Sequence, residues 1–166
     1  MSKPTKNAGL ICIILTVVTL AGVLMGFLAK NPFIAVLFLA PTVIYEVYRT
    51  EGKSTKLSSW IILIALVLEM IFIITKTSFD LAGFLGKSEE LIAGYRVPLG
   101  DIKIIGPTIM AICSIILFVK TYGIYTKWLA VVIFVSSFAV VYIMDPEIFQ
   151  DLFRIAVKEG IKQINY

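Results

Sequence analysis

Residues Leu10–Ala29 read LICIILTVVTLAGVLMGFLA, a stretch of apolar and small residues without a charge. The charge-free run extends back to Asn7, which makes it longer than the 7–15-residue apolar region typical of a signal peptide. About 20 apolar residues are enough to cross a bilayer as a helix. Apolar and polar residues do not alternate along it, as they would in a membrane β-strand. The stretch therefore predicts a transmembrane helix, because a lipid-embedded backbone must form its hydrogen bonds internally.

The composition extends this prediction to the whole chain. Of its 166 residues, 59% are hydrophobic and 16% are charged, and the mean hydropathy is +0.96. Soluble domains are about 45–50% apolar and about 25% charged. The sequence therefore predicts an all-α, polytopic integral membrane protein with a single membrane domain.

Several kinds of chemistry lack their usual residues. The sequence contains no histidine and two cysteines, Cys12 and Cys113, both within apolar runs. Zinc and haem sites depend on histidine or clustered cysteine, and histidine is the most common general base. Phosphate-binding loops, CxxC pairs, nucleophile elbows and basic–aromatic stripes are also missing from the sequence. We therefore predict no enzyme activity, cofactor, metal or nucleic-acid partner, and interpret the cysteines as buried apolar residues rather than redox or lipidation sites.

The remaining apolar runs divide the chain into spans and connecting segments. Five spans are predicted, at residues 8–29, 32–48, 59–75, 105–119 and 128–144. Residues 76–104 are predicted to form an interfacial segment on the outer face, and residues 146–164 an amphipathic C-terminal helix. The second run contains Pro41, which removes a helical hydrogen bond. A re-entrant second segment is therefore an alternative, and it would invert the orientation of everything after it.

The basic residues of the short loops indicate the orientation. With five spans, the N-terminal tail, the second loop and the fourth loop lie on one side; they contain Lys3, Lys6, Arg49, Lys53, Lys56, Lys120 and Lys127. Lysine and arginine are enriched in short cytoplasmic loops. The sequence therefore predicts a cytoplasmic N-terminus and an outer C-terminus in a plasma or inner cell membrane.

Glu69 is the main anomaly within the predicted spans. It lies in Ser59–Lys76, SWIILIALVLEMIFIITK, and the only charge on its helix face is Lys76, about 10 Å along the axis. A charged carboxylate at this depth costs a few kcal/mol. We expect it to be neutral or hydrogen-bonded, with candidate donors on the fourth and fifth spans that include Ser114, Ser136 and Ser137. A structural role is favoured, and a proton- or cation-handling carboxylate is the alternative.

Two residue pairs are further candidates. Glu46 and Arg49 are three residues apart at the inner end of the second span, a spacing that allows their side chains to interact. We interpret them as an interfacial anchor in preference to a binding site. Gly22 and Gly26 have the spacing that lets membrane helices approach closely. They predict a helix-packing contact, either within the chain or with another subunit.

These features favour a non-catalytic integral membrane subunit or accessory protein within a larger membrane complex. The helices carry few polar groups, and the amphipathic C-terminal segment needs a lipid or protein surface to cover it. The expected partners are the lipid bilayer and other membrane subunits or further copies of the chain. A small oligomeric ion channel or proton-coupled transporter that uses Glu69 is the alternative. A lipid-modifying enzyme is least favoured, since it would need polar side chains converging on Glu46 or Asp101.

Overall fold

The structure is a computed structural model that describes residues 7–75, 91–92, 95–96, 102–146 and 149–150. The described residues contain five helices: α1 (Ala8–Ala29), α2 (Pro32–Arg49), α3 (Lys53–Thr75), α4 (Ile102–Lys120) and α5 (Ile124–Met144). Between α3 and α4, strands β1 (Leu91–Ile92) and β2 (Tyr95–Arg96) pair antiparallel, with Leu91 opposite Arg96. The prediction of a helical membrane protein is confirmed at this level.

Four helices, α1, α2, α3 and α5, are long and apolar enough to cross a membrane. Pro41 does not interrupt α2, which continues from Pro32 to Arg49 over roughly 27 Å. In α4 the apolar part, Ile104–Lys120, is shorter than the other four helices, and Pro107 lies inside this helix. The number of spans and the C-terminal amphipathic helix therefore stay predictions. Most of residues 76–104 and 146–164 lies outside the described part of the chain.

Three helices begin earlier than the sequence predicted, at Lys53, Ile102 and Ile124. The predicted bounds followed charge-free runs, whereas helical hydrogen bonds continue through polar residues at a membrane boundary. The Lys56 N–H, for example, donates to the Gly52 carbonyl at 2.8 Å. Charged and hydroxyl residues thus form the first turns of α3.

A two-residue connection turns the chain back between α1 and α2. Lys30 has a left-handed backbone (φ 50°), and the Asn31 N–H donates to the Gly26 carbonyl at 2.9 Å. The Asn31 side chain accepts a hydrogen bond from the Phe33 N–H at 3.0 Å, so it caps α2. Short turns also join α2 to α3 and α4 to α5. We call the end of the bundle that contains these last two turns the inner end.

The helices pack as a closed ring in chain order. Each helix contacts the next, α5 closes against α1, and α2 also contacts α5. Two side-chain hydrogen bonds hold α1 in place: Thr19 with Thr42 of α2 at 2.7 Å, and the Trp128 indole of α5 to the Thr16 hydroxyl at 2.9 Å. The bundle is thus held by specific contacts as well as by apolar packing.

Five buried apolar side chains lie in the middle of the bundle, beside the hydrogen-bonded Thr19 and Thr42, and we call these five the middle layer. Each is at most 1% exposed: Leu39, Val43, Ile62, Leu66 and Ile133. The outer surface is also apolar, and α1 carries an almost unbroken exposed face: Leu10, Ile13, Ile14, Val17, Leu20, Leu24, Met25, Phe27 and Leu28. An apolar surface of this extent needs lipid or protein to cover it.

Gly22 and Gly26 both lie against α2 of the same chain. A Cβ added at Gly22 would collide with the Cβ and ring of Phe38. One at Gly26 would lie 3.0 Å from the Ala35 Cβ. The two glycines therefore bring α1 and α2 together within one molecule.

Candidate functional site

Glu69 lies near the outer end of α3 and is 1% exposed. Its carboxyl group faces Gly106 on α4, where an added Cβ would collide with the Glu69 Oε2 atom. Glycine at position 106 therefore leaves the space that the carboxyl group occupies. This contact also shows that the end of α3 lies beside the start of α4.

The three serines proposed as donors to Glu69 are buried: Ser114 is 1%, Ser136 4% and Ser137 1% exposed. Ser114 donates to the Met110 carbonyl at 2.6 Å, and Ser137 donates to the Ile133 carbonyl at 2.8 Å. A serine hydroxyl has one proton, so these two donate to their own helices. The role of the serines toward Glu69 stays a prediction.

The contact between Glu69 and Gly106 gives a test of this placement. We expect Gly106→Ala to lower the free energy of unfolding in micelles by about 1 kcal/mol, because the new methyl group forces the end of the buried Glu69 side chain to shift. In a Glu69→Ala background the same change should cost much less, since the colliding atoms are gone. Gly26→Ala, which meets Ala35 instead, should cost the same in both backgrounds. Equal costs for Gly106→Ala in the two backgrounds would contradict this placement.

A second polar group lies at the inner end of the bundle. We call it the inner polar cluster, and its members are Cys12, Glu46, Arg49, Thr50 and Tyr125. Glu46 is fully buried, Arg49 is 4% exposed and Thr50 is 2% exposed. The sequence favoured an interfacial anchor for Glu46 and Arg49, but the structure places both side chains inside the protein.

Contacts between α1, α2 and α5 connect this cluster. The Thr50 hydroxyl donates to Glu46 Oε1 at 2.6 Å. The Arg49 guanidinium lies 5.0 Å from the centre of the Tyr125 ring, a cation–π distance. The Cys12 thiol points to the Tyr125 carbonyl at 3.9 Å. The cluster thus joins the end of α2 to the beginnings of α1 and α5.

Several polar atoms in and beside the cluster have no hydrogen-bond partner among the described residues. They are Glu46 Oε2, Arg49 Nε and Nη1, and the hydroxyl groups of Thr121 and Thr126. A buried polar atom left without a partner costs about 1–3 kcal/mol. The cluster can accept hydrogen bonds through the carboxylate and donate them through the guanidinium.

The arrangement does not resemble a metal site in the part of the chain that the structure describes. Those residues contain no group of three or more histidine, cysteine or acidic side chains able to hold a metal ion. Cys12 and Cys113 are buried free cysteines.

The position of the inner polar cluster follows from a pattern on α2 that the sequence contains. Its buried residues include Ala35, Leu39, Thr42, Glu46 and Arg49, spaced alternately by four and three. Such spacing keeps side chains on one helix face. Extending the apolar stripe of α2 toward its end would therefore have placed Glu46 and Arg49 in the core.

Comparison of the chain with protein-family models, with curated proteins and with solved structures finds no match. Its function is therefore inferred from its own residues and their contacts.

Proposed function

We propose that this protein is a non-catalytic integral membrane subunit that packs within a larger membrane protein complex. The observation that carries the proposal is the middle layer. On α2, Leu39 and Val43 lie outward of Glu46, and on α3, Ile62 and Leu66 lie inward of Glu69. The two buried carboxyl groups are therefore separated by packed apolar side chains and the hydrogen-bonded Thr19 and Thr42, with no acidic or basic side chain of the described helices between them, whereas transport pathways commonly place ionisable groups near the bilayer midplane.

The surface of the bundle supports the same role. The exposed face of α1 is apolar along most of the helix. In a lipid bilayer, such a face is covered either by acyl chains or by the helices of neighbouring subunits. The protein can therefore add a preformed apolar helix bundle to neighbouring membrane subunits without contributing a reactive group.

Purification from the native membrane tests the proposal. We expect the affinity-tagged chain, extracted in a mild detergent, to retain at least one other membrane polypeptide in a fixed ratio, as identified by mass spectrometry. An unrelated tagged membrane protein of similar size provides the control for non-specific recovery. Recovery of a stable 18.4 kDa monomer without a stoichiometric partner would contradict the proposal.

A proton- or cation-coupled carrier is the second candidate, favoured by one observation. Glu69 is a 1%-exposed carboxyl group inside a helix long enough to span a membrane. An ionisable residue in that position is expensive to insert and frequently functional. The carrier hypothesis predicts ion flux in liposomes that Glu69→Gln abolishes and Glu51→Gln, an exposed acid, leaves intact. Absence of flux in the parent protein would exclude this candidate.

We also infer that the inner end faces the cytoplasm. Arg49, Lys53, Lys56, Lys120 and Lys127 lie at this end of the described helices, whereas Lys30 and Lys103 lie at the opposite end. This distribution agrees with the cytoplasmic enrichment of lysine and arginine. If α4 also spans the plasma or inner cell membrane, this orientation places the N-terminus inside the cell and the C-terminus outside.

Cysteine labelling tests this orientation. In a chain whose two natural cysteines are replaced by alanine, we expect Asn31→Cys to react with a membrane-impermeant maleimide added to intact cells. Ser54→Cys should react only after the membrane is permeabilised, because it lies at the other end of the bundle. The reverse pattern would show that the inner end faces outward.

A further inference from the structure

A pocket of about 490 Å³ lies at the inner end, where α2 ends and α3 begins. Its walls include Tyr48, Thr50, Glu51, Gly52, Lys56 and Trp60. The Thr50 hydroxyl also donates to Glu46, so one wall of the pocket is fixed to the inner polar cluster. The pocket is therefore bounded on one side by a hydrogen-bonded pair, at the boundary of two predicted spans.

The side chains around the opening combine one cation with two amphipathic rings. Lys56 is exposed, and Trp60 and Tyr48 are 46% and 58% exposed. Tryptophan and tyrosine prefer the headgroup region of a bilayer, and a lysine near the surface attracts anionic lipid. Glu51 also borders the pocket and repels an anion. A preference of the pocket for an anion therefore depends on the positive charge of Lys56.

Two apolar stripes continue from the pocket along the membrane-spanning helices. On α3, Trp60 is followed on the same exposed face by Ile64, Val67 and Ile71; on α2, Tyr48 is followed by Ile44, Pro41 and Leu37. Each stripe covers roughly 16 Å at 1.5 Å per residue. This is about half of the ~30 Å hydrocarbon core, the depth that one leaflet's acyl chains occupy.

We propose that this pocket and its two stripes form a binding site for one anionic phospholipid. Its phosphate-bearing headgroup lies in the pocket beside Lys56, and its acyl chains follow the exposed stripes of α2 and α3. The amphipathic chemistry of the site favours a lipid over a soluble phosphate compound, because a soluble anion would leave both stripes unused.

Quenching of tryptophan fluorescence by brominated lipid tests the proposal. The chain has two tryptophans, so Trp128→Phe leaves Trp60 as the reporter. The full-length protein is placed in phosphatidylcholine bilayers that contain brominated phosphatidylglycerol or, separately, brominated phosphatidylcholine. We expect brominated phosphatidylglycerol to bind near Trp60 about fivefold more tightly, the factor that corresponds to about 1 kcal/mol for one lysine.

Matched charge variants separate a defined site from general surface attraction. Lys56→Gln should abolish the preference for phosphatidylglycerol. Lys53→Gln removes the same charge from the same helix, but Lys53 does not line the pocket, so the preference should remain within twofold. Equal loss in both variants, or no preference in the parent, would overturn the proposal. Inorganic phosphate should not relieve quenching by phosphatidylglycerol, and relief at equal concentration would identify a soluble anion site instead.

Discussion

Replacing Arg49 by alanine should lower the free energy of unfolding by about 2 kcal/mol, mainly through loss of its buried cation–π contact with Tyr125. The side chain is 4% exposed and stacks on Tyr125, and the neighbouring Glu46 carboxyl group is fully buried. Removing the guanidinium leaves that carboxyl group in the protein interior without its nearby cation. Denaturant titration in detergent micelles, followed by far-UV circular dichroism, measures the change.

Two further variants separate the charge effect from loss of packing. Lys53→Ala removes an exposed cation from the following helix and should change stability by less than about 0.5 kcal/mol. Glu46→Gln combined with Arg49→Met removes both charges and retains much of the volume, so it should cost less than Arg49→Ala alone. A cost for Arg49→Ala as small as that for Lys53→Ala would contradict burial of the inner polar cluster.

Gly22→Leu should be the second strongly destabilising change, with a loss of about 3–4 kcal/mol from overpacking and a broken hydrogen bond. Even a Cβ at this position collides with Phe38 across the contact between α1 and α2. Separating the helices also stretches the 2.7 Å bond between Thr19 and Thr42, one turn away. Micelle unfolding detects the loss of stability.

The neighbouring residue provides the control for this change. Ala21→Leu adds the same side chain to the exposed side of α1, so its effect should stay within about 0.5 kcal/mol. If Gly22→Leu and Ala21→Leu are equally tolerated, Gly22 does not mark the close approach of α1 and α2.

The helices could be predicted because apolar runs of membrane length leave the backbone few alternatives. The bounds of α1 were predicted as Ala8–Ala29 and agree with the structure. The starts of α3 and α5 were placed too late, since charge-free runs report the apolar core and not the end of helical hydrogen bonding. Pro41 suggested a possible break, yet α2 continues through it, with this proline on an exposed face.

The candidate sites could be predicted only in part. Glu69 was evident as a lone acid in an apolar run, but its contact with Gly106 depends on how α3 and α4 pack. Sequence spacing related Glu46 to Arg49 and did not reveal that α1 and α5 cover them. Tyr125 joins this cluster across a large sequence separation, a contact that no local pattern encodes.

The protein composition of the native membrane complex that contains this chain tests the central claim most directly. Extraction with an amphipathic copolymer keeps the surrounding lipid, and native mass spectrometry of the released particle then gives its protein composition. We predict a particle in which the 18.4 kDa chain occurs in a fixed ratio with at least one different membrane polypeptide. A particle that contains no other polypeptide, at every ratio of copolymer to membrane tested, would contradict the proposal that this chain is a subunit of a larger complex.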